Sequence, residues 1–526
     1  MRMGESTGID EEERGSGACA GCSRGCKLVL EVELELAPNQ ASGAMLCCAQ
    51  PPLLPSLPPL SASVQEVVNA QGFGRYQKLL AFILGVGWLA DGMEMYVMSL
   101  VVPELPSSWA LTAFDRGLLG GIVFVGFSVG AALFGVLSDS YFGRARMISA
   151  CLVIAAIFGF LSGAAGSFGS LMALRALFGI GVGGFLPVST TLFIESTTDK
   201  HVATLIGLLG NCFTLGGVII SLLAIGVLPS LGWRWILCLS AIPLVPALVA
   251  SAWLCESPMW LVSSGRMEEA HAVLAYTSRM NGIPSVPPLR PPSAKHPAPT
   301  LAVQLGIIWN DHRSAILTLM LTWFTINWVY YGTIYVLPIV LKEHTPNEYV
   351  GVLLTAISEF PGNTGAGFLS NRIGRKPTFI LCMAISCVGA LFCGIAAEWL
   401  SSGWLNFATV IFKIGTTGAF TMCYIYTPEV FPTSLRATCF GICQFCGRIA
   451  AAATPIIAQL LVTSTSSFAT FSVYVGVCLF SVLVTVLLPY ETLGRNADEV
   501  EEERKGETFP LVTAPMGKPA SGSSKV

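Results

Sequence analysis

The charged residues that lie inside apolar stretches are the residues of this sequence best suited to chemistry. Asp91 and Glu94 lie in an apolar run from about residue 79 to 102, at a spacing of i, i+3 that places both on one face of a helix. A charge at the centre of a bilayer costs at least about 2.5–3.5 kcal/mol on insertion scales, so such residues usually face a protein interior or a wet cavity. The pattern predicts a proton carrier or a cation contact at Asp91. An ion pair that fixes helix packing is the alternative for both, and for Glu94 it is the favoured one.

Three acidic and three basic residues occupy such stretches, so their formal charges sum to zero. An isolated buried charge is expensive, and this balance indicates that the charges pair with one another or with a substrate. The six residues are Asp91, Glu94, Arg175, Glu359, Lys413 and Arg448.

Glu359 lies near the midpoint of its apolar stretch, the depth at which transporter sites are found. Pro361 follows two residues later and is expected to open the helix beside a cavity. A desolvated carboxylate there can load a proton, whereas pairing with Lys413 or Arg448 would oppose loading. The structural alternative is a permanent ion pair that joins the eighth and eleventh spans. Arg448 can also clamp a carboxylate substrate, and Lys413 is better interpreted as a structural counter-ion.

Aromatic and amide side chains in the segment WFTINWVYYGTIY are candidates to line a cavity. Asn327 shares a helix face with Tyr330 and Tyr331 through i, i+3 and i, i+4 spacing. Tyrosine rings and Trp323 would attract an organic cation, and a planar organic acid could stack on the same rings and use Arg448. Aromatic stripes also arise from packing alone, which remains the alternative.

The elements that must position these residues are membrane-spanning helices. The chain has 526 residues, of which 53% are hydrophobic and only 12% charged, against about 25% charged in soluble domains. Its apolar residues come in long blocks, which predicts an all-α membrane protein of twelve transmembrane helices. The net charge of −3 argues against a nucleic-acid partner. The predicted spans lie near 79–102, 116–137, 146–166, 170–194, 204–228, 235–254, 314–340, 349–370, 378–397, 404–425, 438–461 and 468–488.

The spans form two six-helix halves joined by a polar linker, with a tail at each end. The excess of Lys and Arg in the loops of one face predicts that both termini and the linker are cytoplasmic. The linker contains a helical segment from Met267 to Met280 and then becomes Pro-rich. The predicted regions are a disordered N-terminal tail (1–71), the first half (72–261), the linker (262–313), the second half (314–495) and a disordered acidic and polar tail (496–526). No metal or cofactor site is expected, and the signatures of enzymes are missing.

Three landmarks recur between the halves at nearly one offset. The pairs are Asp139 with Asn371, Glu195 with Glu429, and Glu256 with Glu491, separated by 232, 234 and 235 positions. A repeat of six spans is the arrangement of transporters whose two halves rock about a site near the membrane midplane.

On these residues the chain resembles the major facilitator superfamily over about residues 72–495. The loop GVLSDSYFGRAR matches the family's motif between its second and third spans, but Asp139 and Gly143 are four positions apart where the family usually has three. The resemblance implies a cytoplasmic gate that favours the outward-open state and breaks when the halves rock, and it implies proton coupling through Arg175. The gate residues are Asp139, Arg144, Arg146, Glu195, Arg375, Glu429 and Arg436.

Within the superfamily the sequence resembles the synaptic vesicle glycoprotein-related group, with its plant organic cation/carnitine and bacterial nicotinate transporters. The segments GWLADGMEM, GIGVGGFLPVSTTLFIE, SEFPG and YTPEVFPTSLRA carry this resemblance. It implies a secondary transporter of a small organic ion or solute: a cation, a zwitterion, or a carboxylate such as nicotinate. We expect a monomeric symporter in the plasma membrane or a vesicle membrane, driven by protons with Asp91 and Glu359 as carriers. The alternatives are a sugar porter and a non-transporting membrane protein that acts through its tails.

Overall fold

The fold is described from a computed structural model, over residues 62–198, 202–283, 286–290, 301–346, 348–431 and 435–493. The predicted tails at 1–61 and 496–526 lie outside this part. The described chain forms eighteen α-helices: α1 Val64–Gln71, α2 Arg75–Val101, α3 Ala113–Leu137, α4 Arg144–Gly163, α5 Phe168–Glu195, α6 Val202–Leu231, α7 Trp233–Ala241, α8 Leu244–Ser251, α9 Pro258–Ser263, α10 Met267–Met280, α11 Leu301–Asp311, α12 Arg313–His344, α13 Glu348–Ile357, α14 Glu359–Ile373, α15 Arg375–Trp399, α16 Ser402–Val430, α17 Arg436–Ser464 and α18 Ser467–Val486.

Eleven helical stretches in the described residues are long and apolar enough to cross a bilayer, with α7 and α8 together forming one of them. The predicted eighth span is instead two shorter helices, α13 and α14, which meet at Ser358. Pro361 explains the interruption, because its ring collides with the carbonyl of the residue four positions earlier, Ile357, where α13 ends. The helix opening expected near Pro361 is therefore found, and it places Glu359 in the first turn of α14.

The prediction of a disordered tail as far as residue 71 is wrong for its last residues. Ser63 caps α1 by accepting a hydrogen bond from the backbone of Glu66, and the Glu66 side chain caps the backbone of Ser63 in return. Val67 and Val68 are buried against Leu274 of α10. The burial of a short apolar face makes this octapeptide a helix although its surroundings are polar.

The helix expected from Met267 to Met280 is confirmed as α10, and it ties the linker to the first span. The Gln71 amide donates to the Leu274 carbonyl (3.1 Å) and to Ser278 Oγ (2.6 Å). The Asn281 side-chain oxygen accepts from the backbone N–H of Tyr76 (3.0 Å), at the beginning of α2. We call the face of the bundle that carries α10 the linker face, and the other the opposite face.

The third landmark of the repeat has the same structural role in both halves. Glu256 accepts hydrogen bonds from the backbone of Arg144 (2.6 Å), at the N-terminus of α4. Glu491 accepts from Arg375 (2.6 Å) and Lys376 (3.0 Å), at the N-terminus of α15. A carboxylate at a helix N-terminus satisfies unpaired N–H groups and complements the helix dipole, so each half is closed by the same device.

The extra residue between Asp139 and Gly143 is taken up by a π-helical turn, Ser138–Phe142, at the end of α3. A π turn accommodates one additional residue per turn. Asp139 still reaches Arg144, with Oδ1 and Nη2 3.0 Å apart. The unusual spacing thus leaves this ion pair intact.

Glycines allow α3 and α5 to approach closely, as the GxxxG pattern at Gly179 and Gly183 predicts. A Cβ added at Gly179 would collide with the Val123 carbonyl oxygen, and one at Gly183 with the backbone of Phe127. The outer surfaces of the spans expose large apolar side chains, including Val136 and Leu483, which is the pattern of a bundle surrounded by lipid.

The two halves contact each other at the opposite face. The Tyr335 hydroxyl of α12 donates to the Gly120 carbonyl of α3 (3.1 Å). Lys342 pairs with Glu104 across the halves, with Nζ and Oε1 2.9 Å apart. The bundle is therefore closed at the opposite face in this structure.

Removal of the carboxylate that caps α15 should destabilise the second half. Partial burial acts to raise the pKa of Glu491, but hydrogen bonds from the backbone of Arg375, Leu493 and Lys376 outweigh it and lower that pKa below the ordinary value of 4.5. We expect Glu491→Gln to cost about 0.5–2 kcal/mol at neutral pH, as the loss of a helix cap does. A folded-state pKa below the unfolded value stabilises the protein above the unfolded pKa, and this contribution is lost as pH falls through the folded one.

Thermal unfolding of purified protein between pH 7 and pH 3.5 measures this effect. The difference between wild type and Glu491→Gln should shrink as the pH falls below about 4.5, because the wild-type carboxylate then becomes protonated. Glu343→Gln, at an exposed site at the end of α12, is the matched control and should unfold like wild type. An equal difference at every pH would show that the charge of Glu491 is irrelevant.

Candidate functional site

A cavity of about 840 Å³, its opening included, lies between the two halves. It runs from the middle of the bundle toward the linker face, since Gly207 near the beginning of α6 and Ile425 near the end of α16 belong to its wall. Its polar and aromatic lining includes Trp88, Asp91, Tyr331, Glu359, Asn363 and Arg448.

Asp91 and Arg448 reach the cavity from opposite halves, and both are buried, with exposures of 2% and 3%. Among the described residues neither takes part in an ion pair. Asp91 Oδ1 and Arg448 Nε have no hydrogen-bond partner. Arg448 Nη1 donates to the Tyr331 hydroxyl (2.8 Å), and its guanidinium lies 3.8 Å from the centre of the Phe127 ring. The cavity thus holds one carboxylate and one guanidinium that do not neutralise each other directly.

Glu359 lies at the junction of the halves and is fully satisfied there. Its Oε1 accepts from the hydroxyls of Tyr96 (2.5 Å) and Tyr330 (2.9 Å), and Lys413 Nζ lies 2.9 Å from the same oxygen. Its Oε2 accepts from Thr214 (3.2 Å). Tyr96 and Thr214 belong to the first half, so this buried carboxylate holds the two halves together. The partner of Glu359 is Lys413 of the tenth span, and not Arg448.

A chain of hydroxyl and amide groups extends from Glu359 along the cavity wall. The Asn363 side-chain nitrogen donates to Thr214 Oγ1 (3.1 Å), and its oxygen accepts from Thr421 (2.6 Å). The Asn363 amide is thereby fixed in orientation by two spans of different halves.

Glu94 and Arg175 form a second buried pair, wholly inside the first half. Arg175 Nη1 donates to Glu94 Oε2 (2.8 Å), and neither side chain is exposed. Ser240 donates to the other oxygen of Glu94 (2.8 Å). Neither Glu94 nor Arg175 belongs to the cavity wall. The two acids of the first span therefore have different environments: Asp91 lines the cavity, and Glu94 is paired with Arg175 away from it.

The aromatic segment of α12 is only partly in the cavity. Tyr330 and Tyr331 line it, and Tyr330 stacks on Phe420 with centroids 4.4 Å apart. Asn327 instead donates to the Trp323 carbonyl of its own helix (2.7 Å), beside Gly447 of α17. Trp323 is buried and donates to Thr427 (2.8 Å). The prediction that Asn327 and Trp323 line the cavity is wrong, because both are used for packing against α16 and α17.

The predicted gate forms one cluster in each half. Arg144 Nε and Nη2 lie 3.2 and 3.3 Å from the carboxylate oxygens of Glu195, in addition to the contact with Asp139. Arg375 donates to Glu429 (3.2 and 3.1 Å) and to Asn371 Oδ1 (2.8 Å). The asparagine of the second copy therefore takes the place of the first copy's aspartate.

Each gate cluster is closed within its own half. Arg146 is exposed, and Arg436 is half-buried with no partner for its Nε. In the described chain neither arginine forms an ion pair, and no ion pair joins the two clusters across the linker face. That arrangement is expected of a state whose cavity is accessible from the linker face, and the structure does not bring Arg146 and Arg436 into the gate.

Several cavity and junction residues were not identified from the sequence. Tyr96 lies five positions after Asp91, but its role depends on a contact with Glu359 in the other half. Thr214, Asn363 and Thr421 carry no charge, and buried hydroxyls and amides in spans more often bond to their own helix. Phe420 has no sequence signal that separates it from packing.

Two six-helix halves around a central cavity with buried charges define a secondary transporter of the major facilitator type. Residues 77–503 match the family model described as "Sugar (and other) transporter". The chain belongs to this family, whose members are transporters and not enzymes.

Two curated relatives and one solved structure illustrate the similarity. The synaptic vesicle 2-related protein of Rattus norvegicus is 33% identical, over 88% of this chain and 87% of its own. Organic cation/carnitine transporter 7 of Arabidopsis thaliana is 29% identical, over 82% and 95%. The xylose transporter XylE of E. coli, in an inward-open conformation, superposes with a TM-score of 0.66 at 17% identity, over 81% of this chain and 100% of its own. The last comparison supports the fold alone.

Breaking the Glu359–Lys413 pair should be more harmful than removing it. Glu359→Gln leaves a buried, uncompensated lysine, which costs about 3–5 kcal/mol in comparable pairs, whereas an apolar replacement of the whole pair is often near neutral. We expect Glu359→Gln to lower the thermal unfolding temperature strongly and Glu359→Gln/Lys413→Met to recover most of the loss. Unfolding of the single and double variants in detergent measures this, with Glu343→Gln as control. A double variant that is less stable than Glu359→Gln alone would contradict the pairing.

Proposed function

We propose that the protein is a proton-coupled secondary transporter of a small organic ion, with Asp91 as the coupling residue. The observation that carries this proposal is a buried carboxylate in the central cavity that has no ion-pair partner in the described chain. The two halves would expose the cavity to each side in turn, which is the rocking motion of a duplicated bundle.

The contacts favour Asp91 over Glu359 for this role. A charge buried without a partner costs several kcal/mol, and a proton or a cationic group removes that cost. Glu359 already has a lysine and three hydroxyl donors, so protonation would sacrifice contacts that are in place. Glu359 is better interpreted as the residue that holds the halves together in this state.

An organic ion fits the cavity better than a sugar. Sugars are bound by neutral hydroxyl and amide groups, whereas this wall carries a carboxylate, a guanidinium and stacked aromatic rings. The name of the Arabidopsis relative also refers to an organic cation and to carnitine. Both kinds of solute belong in the test.

The orientation follows from the excess of Lys and Arg on the linker face, which supports a cytoplasmic linker and cytoplasmic termini. The cavity would then face the cytoplasm in this structure. The name of the rat relative refers to synaptic vesicles, and together with the orientation it supports an internal membrane as one location to examine beside the plasma membrane.

Uptake into proteoliposomes with an imposed pH gradient tests the function. Wild type should accumulate an organic ion in response to the gradient. Asp91→Asn should lose this response, because an amide cannot carry a proton, while Glu343→Gln should behave as wild type. Gradient-driven uptake by Asp91→Asn equal to wild type would remove Asp91 from coupling, and absence of transport of every cation, zwitterion, carboxylate and sugar tried would contradict the transporter assignment.

A further inference from the structure

Building on the proposed function, we propose that the solute is a zwitterion, with its cationic group at Asp91 and its carboxylate at Arg448, and that it exchanges with the proton instead of moving with it. The observation behind this proposal is the charge balance of the membrane-spanning region. Of its three acids and three bases, Glu94 is joined to Arg175 and Glu359 to Lys413 by an ion pair. Among the described residues of these six, Asp91 and Arg448 have no ion-pair partner, and both line the cavity.

The open pair selects for charge on both ends of the solute. A cationic solute would neutralise Asp91 but leave Arg448 buried without a counter-charge, and an anionic solute would do the reverse. A zwitterion places an opposite charge next to Asp91 and next to Arg448 at once. Because its own net charge is zero, it leaves the net charge of the cavity unchanged. Because an uncompensated charge in a low-dielectric site is costly, this difference favours the zwitterion over either singly charged analogue.

Neighbouring side chains fix the groups around both Asp91 and Arg448. Trp88, one helical turn before Asp91, lines the cavity and donates its indole N–H to Ser189 (3.3 Å), which fixes the ring. In the second half, Arg448 is held by Tyr331 and by the ring of Phe127, with Nε left for an additional acceptor. Guanidinium groups bind carboxylates through paired N–H donors, which suits this position.

Part of the remaining cavity wall is aromatic. Tyr330 and Phe420 stack with their rings inclined by 20°, and both line the cavity. A solute with an apolar or planar body between its charges would therefore bury that body without leaving polar atoms unpaired.

Exchange follows because, of the three acids Asp91, Glu94 and Glu359, only Asp91 has no ion-pair partner in the described chain. The ionisable groups facing Asp91 are Arg448 of α17, Tyr331 of α12 and Tyr424 of α16, with Glu94 on its own helix and Glu359 across the cavity. Both acids among them are already paired. When Asp91 takes a proton it can no longer balance the cationic group, so the proton and the zwitterion exclude each other from the cavity.

Binding of charge-matched probes to the purified full-length protein in nanodiscs tests the solute class. The ring set is 1-methylpyridinium-3-carboxylate (zwitterion), nicotinate (anion) and 1-methylpyridinium-3-carboxamide (cation). The linear set is 4-(trimethylammonio)butanoate, its methyl ester, and 5,5-dimethylhexanoate. In at least one set the zwitterion should bind at least about tenfold more tightly than both singly charged partners, a difference of one ordinary charge contact.

Single variants in the same assay test whether Asp91 binds the cationic group and Arg448 the carboxylate. Asp91→Asn should abolish the preference for the zwitterion over the anion, and Arg448→Gln the preference over the cation. Glu343→Gln should keep both preferences. Circular dichroism and thermal unfolding establish that each variant is folded, and retained binding of the remaining analogue shows that its cavity is intact.

The pH dependence tests exclusion. Affinity for the quaternary zwitterions, whose positive charge does not titrate, should fall as the pH is lowered through the titration of Asp91 and should be flat over that interval in Asp91→Asn. In proteoliposomes, an acidic interior should drive accumulation of the zwitterion, and an acidic exterior should not. Affinity that rises toward acid pH, or accumulation driven by an acidic exterior, would overturn exchange.

A zwitterion that in both sets binds no more tightly than the better of its analogues, or no binding in either set, would overturn the solute class. These failures are distinct from failure of the proposed function, since gradient-driven uptake of another solute that depends on Asp91 would leave that function standing. Gradient-driven uptake that does not need Asp91, with a zwitterion preference in binding that still does, would overturn coupling through Asp91 and leave the solute class standing.

Discussion

The low dielectric of the membrane interior is the constraint on which this structure depends. Each charge placed there must find an opposite charge or a good set of hydrogen bonds, since the penalty for an isolated ion exceeds what packing can offset. The sequence meets this demand with three acids and three bases. Glu94 and Arg175 are paired within one half, and Glu359 and Lys413 are paired at the junction of the halves. Among the described members of this set, Asp91 and Arg448 alone have no ion-pair partner, and this is where we propose that a solute binds.

The two halves of the scaffold share the interactions at their helix ends on the linker face but differ in the residues near the middle of the bundle. Glu256 and Glu491 cap equivalent helices, and Arg144 and Arg375 occupy equivalent clusters at the linker face. In contrast, the charged residues of the cavity have no charged counterparts at the repeat offset. Trp323, for example, lies near that offset from Asp91, and it is buried against Thr427. The repeat is therefore preserved in the framework at the linker face, whereas the charged residues of the proposed binding site differ between the halves.

The fold was predictable from the sequence because apolar blocks, basic loops and recurring landmarks are local signals that do not depend on tertiary contacts. The three-acid, three-base balance was equally visible, as was the prediction that these residues pair. The choice of partners was not, since Lys413 and Arg448 were equivalent candidates for Glu359 until the helices were placed. Asn327 and Trp323 show the same limit: their spacing is compatible with a cavity face or a packed face, and only the position of α16 and α17 decides. The first turns of α1 were missed because a helix of eight residues in a polar tail depends on burial against α10.

The interruption of the eighth span at Ser358 separates the motion of α13 from that of α14. A continuous helix would move as one rod, but here the helical hydrogen-bond pattern is interrupted at Ser358, whose backbone angles stay in the helical region (φ −66°, ψ −13°). Pro361 has no N–H, so the carbonyl of Ile357 is left without its usual helical donor. A change of a few backbone dihedral angles at this joint bends the span and sacrifices few hydrogen bonds. This joint lies next to Glu359, whose carboxylate accepts hydrogen bonds from Tyr96 and Thr214 of the first half. The weakest point of the eighth span is therefore adjacent to a contact between the two halves.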